Sequence, residues 1–120
     1  MKVSIIGQGY VGLPLAISCA QAGFEVTGID LSEEKVSQLN SYRSIVEDVS
    51  DSEVKSVSES GKYKATTDYL IDPLTEIICI CVPTPLGSKH QPDLEILKAA
   101  TKDVGKSLKS GMLVIIESTI

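Results

Sequence analysis

The sequence predicts a single α/β domain: a doubly wound, three-layer parallel sheet with helices on both faces. Two observations lead to it. Five short runs of β-branched and apolar residues read as buried strands, and segments of helical periodicity separate several of them. The composition is 42% hydrophobic and 22% charged but only 4% aromatic, without Trp, so the core must be built from Ile, Val, Leu and Ala. A chain of 120 residues has room for one such domain.

The elements follow in order. Lys2 to Ile6 is a β-branched run that stops at Gly7, a buried strand. Val11 to Ala22 is apolar almost all round and meets Gly23, a helix stop, so it reads as a buried helix. Phe24 to Ile29 is the second strand, with Asp30 at its carboxyl end. Ser32 can cap a helix whose stripe is Val36 and Leu39, running to about Asn40. Ser41 to Val49 is polar and irregular, a loop. Ser50-Asp51-Ser52-Glu53 has capping-box spacing and opens a helix that closes near Gly61. Tyr63 to Thr67 is the third strand, and Asp72-Pro73 breaks the chain. Glu76 to Val82 is a strongly apolar fourth strand ended by Pro83-Thr84-Pro85. Leu86 to Gln91 is loop, and Pro92 suits a first helical turn. Leu94, Leu97, Ala100, Val104 and Leu108 then recur at helical spacing until Gly111, and Met112 to Ile116 is a last buried strand.

Charge and apolar run length exclude whole classes. The formal net charge is −5 and the single arginine is Arg43, so the chain lacks the basic footprint of a nucleic-acid binder. No apolar run approaches the roughly 20 residues that span a bilayer. Met1 to Ala22 has an apolar body, but Gly7, Gly9, Gly12 and Pro14 interrupt what a signal peptide keeps continuous. The three cysteines then read as reduced thiols of a cytoplasmic protein. Cys79 and Cys81 fall on one face of a strand as small buried hydrophobes, and a C-x-C pair with one distant His is a poor metal set, so no metal is expected.

Gly7-Gln8-Gly9-Tyr10-Val11-Gly12 matches G-x-G-x-x-G and stands where a dinucleotide turn must, after a strand and opening a helix. Gly7 permits the tight turn, Gly9 lets backbone approach a pyrophosphate, and Gly12 lets helix pack on strand. The helix N-terminus then offers N–H groups and partial positive charge to the phosphates. A turn serving packing alone is the competing reading. Asp30 lies where a carboxylate accepts bonds from the adenosine ribose hydroxyls, and it would repel a 2′-phosphate, which favours NAD over NADP. Its rival role is to cap the next helix, since Glu33 gives Asp-x-x-Glu spacing. Lys35 could reach the ribose or simply be solvated. Together these features make the expected fold Rossmann-like.

Five segments carry a resemblance: GQGYVGLPLA at 7–16, SYRSIVEDVSDSEV at 41–54, VPTPL at 82–86, PDL at 92–94 and EST at 117–119. In this order and spacing the chain resembles the N-terminal domain of the nucleotide-sugar 6-dehydrogenases, the UDP-glucose/GDP-mannose dehydrogenase family, over Lys2 to Ile120. Segments 41–54 and 82–86 lean toward the UDP-N-acetylhexosamine branch. The resemblance implies a parent enzyme, a homo-oligomer, that oxidises the C6 alcohol of a UDP-sugar to a carboxylate with reduction of two NAD, in the supply of surface polysaccharides. It implies NAD contacts at Gly7 to Gly12, Asp30 and Lys35, and in the loop of Val82, Thr84 and Pro85. It places Ser118 and Thr119 beside the nicotinamide, with Thr119 helping to hold a catalytic water. The plainer alternatives are a rigid Pro83-Thr84-Pro85 loop and a helix N-cap at Ser118-Thr119. The family's nucleophilic cysteine belongs to a later substrate domain, so residues 1–120 are expected to be a fragment that binds NAD without catalysis. Two other readings stay open: a stand-alone regulatory nucleotide-binding domain of a potassium transport system, and a β-hydroxyacid-type dehydrogenase.

Overall fold

The structure is a computed structural model and describes residues 1–69, 71–83 and 94–117. The elements run β1 (Lys2–Ile6), α1 (Gly12–Gln21), β2 (Glu25–Ile29), α2 (Glu33–Asn40), α3 (Asp51–Glu59), β3 (Tyr63–Thr66), β4 (Thr75–Ile80), α4 (Glu95–Gly105) and β5 (Leu113–Ile116). The strands form one sheet in the order β3-β2-β1-β4-β5, and every pairing is parallel. The order reverses at β1, where the chain crosses from one wing of the sheet to the other. In doubly wound folds this switch point is where ligands bind.

Strand alternation sorts the apolar residues into two cores. Val3, Ile5, Val26, Cys79 and Cys81 face α1, α2 and α3, where Leu13, Ile17, Leu39, Val54 and Val57 close over them. Ile6, Ile29, Ile78, Ile80 and Val82 face the other way, against Leu97, Ala100 and Val104 of α4. The two cysteines share a face, as their spacing implies. Three layers result.

Several boundaries differ from the sequence expectation. β4 ends at Ile80, although the Cys81 N–H still donates to the Ile6 carbonyl at 2.7 Å. α4 ends at Gly105, because backbone bonds from Ser107 and Leu108 turn back three residues, and Leu108 lies exposed. β5 is not a buried strand: it is an edge, with Leu113 55% and Ile116 50% exposed. Among the described residues one helix, α4, packs on the second face. The described part of the β3–β4 crossover carries no helix, so Tyr69 and Ile71 supplement α4 there. The expected loop 86–91 and the Pro92 helix start lie outside the described residues.

Candidate functional site

A cavity of about 520 Å³ opens at the carboxyl ends of the strands, bordered by the glycine turn, Asp30, Lys35, Ile45, Val46, Cys81, Val82, Pro83 and Glu117. Its floor is built by residues that carry the ladders one step past the strands. The N–H of Gly7 donates to the Ile29 carbonyl at 2.6 Å, and that of Asp30 to Thr66 at 3.1 Å. The N–H of Glu117 donates to Ile80 at 2.9 Å.

The turn needs its glycines for different physical reasons. Gly7 sits at φ +92°, and a Cβ there would stand 2.8 Å from the Cys81 carbonyl oxygen. A Cβ on Gly12 would collide with the Gly7 carbonyl and press on Cys81 Cβ at 3.3 Å, so that glycine lets α1 approach β4. Around Gly9 the space is open, which leaves its backbone accessible from the cavity.

The N-terminus of α1 is bare. Val11 at the N-cap makes no side-chain capping bond, and no acidic residue stands in the first turn. By contrast, α2 has the Ser32 cap with Glu33 and Glu34, and α3 has a complete capping box; α4 shares the lack of a side-chain cap but has Glu95 in its first turn. An uncapped helix start at a cavity is a site for an anion. Tyr10, 81% exposed, and Val11 stand at the rim.

Asp30 has only 12% of its side chain exposed. Its carboxylate accepts from the Gln8 N–H at 2.9 Å and the Ser32 N–H at 3.0 Å, and Lys35 Nζ lies 4.0 Å away. The rival capping role falls to Ser32, whose Oγ accepts from the Lys35 N–H at 3.2 Å. Asp30 therefore stands at the tip of β2 with its charge turned toward the glycine turn. Gln8 borders the cavity too, but its side chain is wholly buried and bonded beneath the turn.

Val82 is buried in the second-face core and reaches the cavity edge. Thr84, Pro85, Ser118 and Thr119 lie outside the described residues. The cavity also includes Ile45, Val46 and Glu117, which the sequence reading did not single out as site residues. Ile45, Val46 and Val49 are the apolar positions in an otherwise polar stretch, the one signal that could have marked 41–49 as a wall. Burial, with smaller contributions from Cys79 and Glu117, pushes the Cys81 thiol up to about 11, which favours the protonated form over the reactive thiolate. Among the described residues no three His, Cys, Asp or Glu stand together as a metal site, and no helix is long and apolar enough to cross a membrane.

A bare helix start, an open glycine and a largely buried carboxylate suit the pyrophosphate and ribose of NAD. Comparison with known proteins agrees. Residues 1–120 match the NAD binding domain of the UDP-glucose/GDP-mannose dehydrogenase family. The UDP-N-acetyl-D-mannosamine dehydrogenase of Pyrococcus horikoshii is 40% identical over 121 residues, covering 100% of this chain and 29% of that protein. A solved structure of the enzyme from that organism superposes with a TM-score of 0.93 at 39% identity, over 100% of this chain and 29% of its own. A GDP-mannose dehydrogenase from Pseudomonas aeruginosa, solved as a ternary complex, gives 0.91 at 28% identity, again over 100% and 29%. The chain thus spans 29% of the length of the Pyrococcus relative.

Proposed function

The chain belongs to the UDP-glucose/GDP-mannose dehydrogenase family as its NAD-binding domain, and from that premise we propose that it is the cofactor half of a UDP-sugar 6-dehydrogenase. Membership sets aside the potassium-transport and β-hydroxyacid readings. The single observation that carries the proposal is the pairing of the uncapped α1 start with Asp30 across one cavity. In this reading the N–H groups at the start of α1 and the Gly9 backbone hold the pyrophosphate. Asp30 accepts the ribose hydroxyls, with Lys35 beside it, and Val82, Thr84 and Pro85 border the cofactor. Ser118 and Thr119 approach the nicotinamide, and Thr119 positions a water. Bound NAD supplies a hydride acceptor. Cys19, Cys79 and Cys81 take no part, so residues 1–120 bind NAD and supply no nucleophilic thiol.

The relatives named for UDP-N-acetyl-D-mannosamine support an N-acetylhexosamine substrate for the parent enzyme. We place that parent in the cytoplasm as a homo-oligomer serving polysaccharide synthesis. Reading the gene tests the parent assignment: a catalytic cysteine segment downstream of this domain would support it, and its absence would overturn it.

Calorimetric titration tests the site. NAD should bind more tightly than NADP, because a 2′-phosphate would meet the Asp30 carboxylate. Asp30→Ala should weaken NAD and close the gap between the two. Equal affinities in the unaltered chain would remove Asp30 from the ribose.

A further inference from the structure

The turn that receives the phosphates contains two glycines in three residues, Gly7 and Gly9, and glycine backbone is costly to order. The residue between them has an unusual place. Gln8 is 0% exposed, although it belongs to a ligand-binding turn. Its Nε2 donates to the carbonyls of Ile5 and Gly7, both at 3.1 Å. Its Oε1 accepts from the Tyr63 hydroxyl on β3 at 2.7 Å, from 55 residues away. Both amide protons are used, so the side chain has no donor left for a ligand.

These bonds grip one peptide plane from both sides. The Gly7 carbonyl is held by Gln8 Nε2, and the N–H of the same peptide, that of Gln8, is held by Asp30 at 2.9 Å. The Gly7 carbonyl also lies against Gly12 at the start of α1. The Gln8 side chain thus ties the turn to β1 and β3, while its backbone N–H, independently of the side chain, meets the Asp30 carboxylate.

β2 is shaped to admit it. A Cβ at Gly28 would stand 2.6 Å from Gln8 Cδ and 2.8 Å from the Tyr63 hydroxyl. Three positions distant in sequence are therefore matched: an amide on the turn, a hydroxyl on β3 and a glycine between them. Burial, with a smaller contribution from the Asp30 charge, drives the Tyr63 phenol far above its ordinary value, so it remains a donor throughout the working pH range.

We propose that Gln8 and Tyr63 are positioning residues for the dinucleotide: their buried hydrogen bond pins the phosphate-binding turn in the form that receives a pyrophosphate. The inference rests on the NAD-binding reading above. Tyr63 lies on β3 and does not border the cavity, so it acts through Gln8.

The test uses the 120-residue chain with Tyr63→Phe and with the apolar pair Gln8→Leu/Tyr63→Phe, folding being checked by circular dichroism. NAD and ADP-ribose are titrated by calorimetry, and adenosine, which has no phosphate, by NMR. Removing the pin should weaken NAD and ADP-ribose about tenfold, the loss of a preorganised turn, while adenosine shifts less than about twofold. Unchanged NAD affinity in folded variants would overturn the pin. So would an equal loss for adenosine, which marks general loosening of the fold. If an unaltered chain bound neither NAD nor ADP-ribose, the NAD-binding reading would fail first and this inference with it. Exchange of the Gln8 carboxamide protons in the unaltered chain gives a readout no folding defect can obscure. Slow exchange before NAD is added supports a preformed pin, and exchange at the solvent rate overturns it.

Discussion

Tyr42 is the one described residue other than glycine in the left-handed region, at φ +66°. It follows the C-cap Ser41 of α2. Its N–H donates to Leu39 at 3.1 Å, and that of Arg43 to Gln38 at 2.9 Å. This is the two-bond closure in which glycine usually occupies the Tyr42 position, because a Cβ crowds the following carbonyl there. The strain is separable from the packing of the ring. Tyr42→Ala removes the ring and keeps the Cβ, whereas Tyr42→Gly removes both. Chemical denaturation should therefore find the glycine variant about 1 kcal/mol more stable than the alanine variant. Equal stability would show that the backbone holds this conformation without cost. The glycines of the turn after β1 are the converse case. At Gly7 and Gly12 the neighbours that a side chain would meet are backbone or closely packed atoms, so substitution there disturbs the turn itself.

At the scale of the element, helix starts separate structure from function. Ser50 Oγ accepts from the Glu53 N–H at 3.1 Å, and the Glu53 carboxylate accepts from the Ser50 N–H at 3.1 Å. Replacing Ser50 with Ala should cost about 1 kcal/mol at neutral pH. The Ser50 backbone bond, then the Gln21 and Ser50 side chains, hold the Glu53 carboxyl below its ordinary value. A carboxyl lowered in the folded state contributes stability above its unfolded value and loses it as pH falls through the folded one. The penalty of Ser50→Ala, measured by urea unfolding, should thus be smaller near pH 3 than at pH 7. A pH-independent penalty would mean that the serine acts alone. No such device closes α1, and the exposed charge of Glu53 has no counterpart at its first turn. Both α1 and α4 start without a side-chain cap, but α4 has Glu95 in its first turn, and α1 alone combines a bare start with no acid there and a place at the cavity.

Over the whole molecule, the two edges of the sheet are managed differently. On β3 the Asn40 side chain acts as a substitute strand: its Nδ2 donates to the Ala65 carbonyl at 3.0 Å, and its Oδ1 accepts from the Ala65 N–H at 3.1 Å. Among the described residues no strand pairs with the outer side of β5, and Leu113 and Ile116 are exposed there instead. Unpaired, apolar edges promote pairing between chains. Light scattering should show association that grows with concentration and is reduced by Leu113→Lys. A monomer at every concentration would show that this edge is inert.

Much of this was legible in the sequence. β1 begins and ends where its β-branched run does, α2 and α3 begin after their serine caps, and the cysteines of the C-x-C pair share a face, because each depends on neighbours along the chain. The glycine turn and Asp30 were legible for the same reason: a strand, a turn and a helix start are contiguous. The sequence by itself thus determined the alternation of strands and helices, the spacing of the turn and the family to which the chain belongs. It could not show that α4 stops at Gly105 or that Ile45, Val46 and Glu117 border the cavity. Nor could it show that Gln8 turns inward to Tyr63 over Gly28. Those outcomes depend on which strands lie side by side. Burial and hydrogen-bond partners are set by neighbours in space, and only the tertiary structure chooses them.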